Sequence, residues 1–300
     1  MVLFDESVLR PTSPQRLLTE DAPPTTPPEL ICGDTDLLLP QMVAEGRTFD
    51  LILTDPPYNL DKDFGDTATD RLPFEEFLAA SKRRIENAAS LLSPTGSLVW
   101  FSSHRYLGFQ QVQMYEVGLH YRRTNIWYYR NGSSRARRVP KPEYDPFLWF
   151  SKSGEEWTYN ADDVRVPYVS VERLQNPVWR LDKDGNRRQW RPDPRGALRG
   201  DVWEEPALAG KAFAGERTDH PTQKPVALFV DLVKAFCPKD VDGRYTGTVL
   251  DPFLGSGTTA VACEQLNQMG HDIRFTGIEI ESRWVDVAEV RIAGVHPALF

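Results

Sequence analysis

The 300-residue chain contains no run of eighteen apolar residues and no charged-then-apolar leader, which argues against a membrane span and a signal peptide. Its three cysteines, Cys32, Cys237 and Cys263, are odd in number and lack metal-ligand spacing. They read as small buried thiols in a reducing cytosol, with neither a disulfide framework nor a metal centre expected. A hydrophobic content of 40% and a charged content of 26% are ordinary for a globular protein. The length gives ample core for one large α/β domain with an insert, or for two small domains.

Cations are also in short supply, 35 against 43 acids, for a net charge of −8. The deficit is uneven. Residues 122–142 carry seven cations and no acid, among them Arg130, Arg135, Arg137, Arg138 and Lys141, and residues 165–199 carry nine cations against four acids. These segments hold +7 and +5, which leaves −20 for the rest. Such segregation suits a central third that faces a phosphate backbone, with solvated basic loops as the plainer reading.

Residues 49–60 read Phe-Asp-Leu-Ile-Leu-Thr-Asp-Pro-Pro-Tyr-Asn-Leu. Leu51, Ile52 and Leu53 form the short apolar run of a strand buried on both faces of a parallel sheet. The strand must end at Pro56 and Pro57, which lack an N–H and push the residue before them into an extended conformation. That fixes the Asp55 carboxylate and the Tyr58 ring at the carboxyl end of a strand, where open α/β sheets bind ligands. The tetrapeptide has no nucleophile, no histidine base and no metal-ligand spacing. It does have what holds a planar ring with an exocyclic amine: acceptors for two amino protons and an aromatic face to stack on.

Around this strand, periodicity predicts further strands near 30–34, 97–101, 121–129, 146–151, 248–250 and 273–280. Helices are predicted over 35–45, 74–92, 105–117, 226–236, 260–268 and 282–292. Residues 93–96 are expected to end the second helix as a turn, and 157–160 to form an antiparallel sheet edge. Strands alternating with helices over short connections imply a doubly wound, mostly parallel α/β sheet. Residues 1–29, rich in proline, read as a poorly ordered arm. Residues 162–210, where periodicity gives way to arginine, tryptophan and proline, read as an irregular functional insert.

The strand at 248–250 leads into Asp251-Pro252-Phe253-Leu254-Gly255-Ser256-Gly257-Thr258 and then a helix. Strand, Gly-x-Gly, helix sets backbone N–H groups and a helix N-terminus against an anion, and Gly257 is expected to be bare so that the backbone can approach a ligand. Glu279, at the end of the next strand, can accept both hydroxyls of a ribose. No third glycine completes the dinucleotide fingerprint and no lysine follows Gly257. A small anion such as the carboxylate of S-adenosylmethionine therefore fits better than a pyrophosphate, with NAD or FAD as the other cofactors the pattern allows.

Asp-Pro-Pro-Tyr comes first, the basic insert second, His220-Pro221-Thr222-Gln223-Lys224-Pro225 third and Gly-Ser-Gly last. In this order the chain resembles the β group of amino DNA methyltransferases over residues 30–292. The resemblance implies the S-adenosylmethionine-dependent methyltransferase fold in permuted motif order. Residues 30–161 would form the catalytic half, 162–210 the target-recognition insert and 211–300 the cofactor-binding half. It further implies double-stranded DNA as partner, S-adenosyl-L-methionine as cofactor, no metal, a cytoplasmic location and a homodimer. Asp55, the Pro56 carbonyl, Pro57 and Tyr58 would hold a flipped-out base, with Asp55 bordering the cofactor as well. Phe253, Gly255, Ser256, Gly257 and Thr258 would wrap the methionine part, with Asp251 heading that loop. Glu279 would hold the ribose, Asp34 the adenine amine and Lys224 the carboxylate. An Asp in the first tetrapeptide position goes with N6-adenine. N4-cytosine and a catalytically silent DNA-binding subunit are the alternatives. His220 reads as a structural hydrogen-bonder, and residues 142–146, which depart from the family's His-Glu, have no assigned role.

Overall fold

In the computed structural model, residues 26–65, 70–132, 137–170, 172 and 178–295 are described. The expected arm at 1–29 lies almost wholly outside them. The organising strand is β2 (Phe49–Thr54, with β1 at Glu29–Cys32), and its Leu51, Ile52 and Leu53 are fully buried. Successive side chains of a strand point to opposite faces. Leu51 and Leu53 accordingly join one core with Phe229, Leu232 and Ala262, while Ile52 joins the other with Leu39, Ile85 and Ala88. The first core is covered by α4 (Val226–Phe236) and α5 (Thr258–Gln268), the second by α1 (Thr35–Ala44) and α2 (Phe74–Leu91), with α3 at Leu107–Glu116. A strand covered on both faces needs no polar alternation, which is why an unbroken apolar run marked it.

The sheet order is β1-β10-β9-β2-β3-β5-β4-β8, with β3 at Leu92–Phe101, β4 at His120–Tyr128, β5 at Tyr144–Ser151, β8 at Val202–Glu204, β9 at Thr248–Asp251 and β10 at Arg274–Glu279. β5 is antiparallel to both its neighbours, and the other pairings are parallel. The doubly wound, mostly parallel expectation holds. The late strand β9 lies directly beside the early strand β2, so four neighbouring parallel strands deliver Asp34, Glu279, Asp251 and Asp55 to one edge.

The structure departs from the sequence expectations in several places. Residues 93–96 are not a turn: β3 starts at Leu92, with a register shift between Phe49 and Leu51. Ser93 Oγ donates to Asp50 Oδ1 at 2.8 Å, and a Cβ on Gly96 would stand 2.9 Å from the Phe49 carbonyl oxygen, so the segment is held extended against β2. Residues 157–160 form no strand. Arg122 lies over the Trp157 ring, 3.3 Å from its centroid, and Asn160 donates to the Lys234 and Cys237 carbonyls at the end of α4, both at 2.8 Å. The sheet edge is β8 instead, anchored by the buried Trp203. Cys237 and Cys263 are buried, but Cys32 is exposed at the end of β1.

The insert is not wholly irregular, because it carries a hairpin of β6 (Val178–Leu181) and β7 (Arg187–Trp190). Its basic residues also divide. Arg165 pairs with Asp162 at 2.7 Å and Asp193 at 3.1 Å, and donates to the Gly196 carbonyl at 2.6 Å. Arg199 pairs with Asp231 at 2.6 Å, donates to the Val164 carbonyl at 3.0 Å and stacks on Trp203. These two side chains are mostly buried and serve the fold, whereas Arg187 and Arg188 are exposed. Removing one partner of a part-buried ion pair strands the other. Arg199→Ala is expected to lower stability by about 2 kcal/mol, while Arg188→Ala, at an exposed pair, stays within about 0.5 kcal/mol. Urea denaturation of both variants checks this.

Candidate active site

The Asp-Pro-Pro-Tyr segment leaves β2 at the carboxyl edge of the sheet and forms part of the wall of a cavity of about 890 Å³. Asp55 Oδ1 accepts from the Tyr58 hydroxyl and Oδ2 from Lys224 Nζ at 2.6 Å. Lys224 is 5% exposed and also lies 3.5 Å from Asp145 Oδ2, while Tyr129 donates to Asp145 Oδ1 at 3.1 Å. The rings of Tyr58, Phe101 and Trp127 surround the ammonium at 5.2–5.7 Å. Burial raises the Asp55 carboxyl against the opposing pull of Lys224 and Tyr58. Burial also penalises the Lys224 ammonium, but Asp55 and Asp145 outweigh it, and the lysine stands above its ordinary pKa. The ammonium is therefore held charged between two carboxylates.

The glycine loop lies across β9 and β10. Asp251 accepts from Thr54 Oγ1 at 2.9 Å, Thr259 Oγ1 at 2.5 Å and the Phe253 N–H at 3.1 Å, so both its oxygens are engaged in shaping the loop. Burial lifts its pKa to about 6. Glu279 accepts from the Gly255 N–H at 2.8 Å and the Glu281 N–H at 3.0 Å, which aims its carboxylate into the same cavity. Asp34 caps α1 by accepting from the Asp36 N–H at 2.8 Å, and it too lines the cavity. Phe253 lies under Arg84, whose guanidinium is held by Asp36. Gly257, at φ +82°, has a packing reason to be bare. A Cβ there would stand 2.6 Å from the Cβ of Ala288 on α6 (Ser282–Ala293).

Beyond Tyr58 the chain folds back across the cavity. The buried Asp70 carboxylate accepts from the Asn59 N–H at 2.6 Å and from the Leu60 and Lys62 N–H groups at 3.0 Å. The Phe64 carbonyl accepts from Arg283 and Trp284, each at 2.7 Å, and its ring meets His220. His220 packs edge-on against Trp284, and its buried Nδ1 has no partner among the described residues. The expected role as a hydrogen-bonding side chain is thus not met here.

A tetrapeptide at one strand end, a glycine loop at the end of the next strand and a carboxylate on the strand beyond line one cavity. Compared with known proteins, residues 49–290 match the N6/N4 family model described as DNA methylase. The chain belongs to the N6/N4 amino DNA methyltransferase family. It is 31% identical over 265 residues to the type II methyltransferase M.HpaI of Haemophilus parainfluenzae, covering 88% of this chain and 73% of that protein. The crystal structure of an M1.HpyAVI–SAM complex aligns with a TM-score of 0.61 at 23% identity, covering 88% of this chain and 98% of that one. PvuII DNA methyltransferase, described as cytosine-N4-specific, aligns with a TM-score of 0.58 at 16% identity, covering 92% and 96%. These structures show a shared fold. The β-group motif order and the methyltransferase architecture expected from the sequence are both present.

S-adenosyl-L-methionine is the methyl donor of this family. The cavity suits that molecule: Glu279 offers acceptors, Phe253 a ring face and His220 an unpaired nitrogen on one wall. Of the residues expected to meet DNA, Arg137 and Arg138 are exposed, Arg130 pairs with Glu204 at 2.9 Å, Lys141 pairs with Glu143 at 2.6 Å, and Arg135 lies outside the described residues. Sequence reasoning missed Asp145, Tyr129, Asp70 and Phe64. Asp145 falls in the stretch that departs from the family pattern, and its acidity was the one available signal.

Gly257→Val is expected to destabilise the methyltransferase by about 3 kcal/mol through clash and backbone strain, read as a lowered melting temperature without any cofactor present. His220 gives a pH signature. Burial, with Lys224, Arg291 and Arg283 adding to it, holds its pKa down at about 4 against the ordinary 6.5. The folded state therefore keeps His220 neutral while the unfolded chain protonates. Its stabilising contribution is full above pH 6.5 and declines as pH falls towards 4. Urea melts at pH 7 and pH 5 should show a smaller acid loss for His220→Gln than for wild type.

Proposed function

We propose that this methyltransferase transfers a methyl group from S-adenosyl-L-methionine to N6 of an adenine turned out of duplex DNA at a specific sequence. The observation that carries the reading is the single cavity shared by Asp55, Tyr58 and the Glu279–Gly255 loop contact. The donor supplies an electrophilic methyl group. Everything else falls to the chain's own residues. The amine of adenine is a poor nucleophile because its lone pair is delocalised into the ring. Asp55 and the Pro56 carbonyl, as acceptors, favour the pyramidal nitrogen that exposes that pair, and Pro57 stiffens their placement. Tyr58 offers a stacking face worth roughly 1–3 kcal/mol to a base that has left its helix.

On the donor side, Phe253, Gly255, Ser256, Gly257 and Thr258 surround the methionine part, with Asp251 holding their loop in shape. Glu279 takes the ribose hydroxyls and Asp34 the adenine amine. Lys224, already balanced between Asp55 and Asp145, offers its charge to the carboxylate. Residues 162–210 contact the target, helped by Arg130, Arg135, Arg137, Arg138 and Lys141. The wider setting is a cytoplasmic homodimer in a restriction–modification pair, and sedimentation at micromolar concentration tests the dimer.

Adenine is favoured by the aspartate at the first tetrapeptide position. Digesting duplex modified by the purified protein to nucleosides and resolving them by mass spectrometry should give N6-methyladenine. N4-methylcytosine as sole product would overturn the base assignment alone. Asp55→Ala should cut the single-turnover rate by roughly a hundredfold or more while donor affinity, read by calorimetry, changes only several-fold. A variant of near wild-type rate would remove Asp55 from the chemistry.

A further inference from the structure

The β6–β7 hairpin stands outside the eight-stranded sheet. In its register, Trp179 faces Gln189 and Leu181 faces Arg187, which sets these four residues on one face of the ribbon. Arg180 and Arg188 lie opposite each other on the other face. Trp179 is 58% and Leu181 69% exposed, and Arg187 leans over the Trp179 ring at 5.9 Å. A two-stranded ribbon with apolar side chains in water is marginal by itself.

The ribbon is nevertheless held in shape. Asp182 accepts from the Asp184 and Asn186 N–H groups at 3.0 and 2.9 Å, Gly185 takes φ +81° at the tip, and Arg188 pairs with Asp182 at 2.9 Å. The Val166–Ala197 bridge and Arg165 close the insert on itself, and Arg199 ties it to α4 through Asp231. An exposed, cationic, pre-shaped ribbon complements a polyanion. The DNA major groove admits a two-stranded ribbon of this width.

We infer that the β6–β7 ribbon enters the major groove of the substrate duplex, with Arg187 and Gln189 reading base edges and Arg180 and Arg188 meeting phosphates. Arginine pairs bidentately with guanine and glutamine with adenine, and Leu181 beside them suits a thymine methyl group. The inference rests on the DNA-methylating reading above. A protein partner for the same face is an outcome of the test.

First, long-read sequencing of DNA from a methylation-free host expressing the wild-type chain gives the target sequence. Wild type that methylates no DNA would overturn both readings. Then Arg187→Ala and Gln189→Ala are compared with wild type for affinity to duplexes with and without that sequence. Each variant is expected to lower the ratio of specific to non-specific affinity roughly tenfold, and the methylated sequence should become degenerate at one position. Arg188→Glu should weaken both duplexes alike and flatten the salt dependence. Melting temperature and donor binding should match wild type in all three. If the affinity ratio and the methylated sequence are unchanged in Arg187→Ala and Gln189→Ala, the ribbon reads no bases and only this inference falls.

Discussion

A buried ammonium with two carboxylates around it holds the site together. Lys224 comes from the segment before α4, Asp55 from the end of β2 and Asp145 from β5, so one charge ties three parts of the chain. The Lys224 carbonyl also accepts from Thr258 Oγ1 at 3.3 Å, at the start of α5. Without the ammonium, two acids would face each other in a poorly hydrated cavity, and each would be driven towards its neutral form. A neutral carboxyl at Asp55 would carry an O–H donor on one oxygen and weaken as an acceptor. The lysine thus sets the electrostatic condition of the tetrapeptide's carboxylate.

The same economy governs the rest of the charge. An acidic protein with two basic segments looks uniformly cationic there only in one dimension. Arg122 donates to Ser151 Oγ and the Ser153 carbonyl, Arg165 and Arg199 are spent on the insert's base, and Arg195 on Asp193. What is left outward is a smaller set, on the loop after β4 and on the ribbon.

What was legible in the sequence was local. Leu51–Leu53 followed by two prolines could hardly have been anything but a buried strand with a stiff exit, and the helices of strong period lie where expected. What was not legible depended on distant partners. The packing need at Gly257 was hidden because Ala288, the residue that needs the space, belongs to another helix. Asp145 had no neighbour in sequence to announce its lysine. Residues 93–96 have turn composition, yet Asp50 across the sheet draws them out straight. Residues 157–160 have strand composition, but pack as coil on Phe236 and Trp149.

The pairing of β2 with β9 joins residues 197 positions apart, through the Thr54–Asp251 hydrogen bond among others. A ribosome adding roughly 5–20 residues each second takes on the order of 10–40 s to travel between them. Throughout that time the nascent β2 has one unpaired edge, and its apolar run is shielded on that side only by whatever else is at hand. The late strands β9 and β10 complete the sheet and, with Asp251 and Glu279, the cavity. Until both are made the pocket lacks Asp251 and Glu279, so the first half of the chain holds only one wall of it.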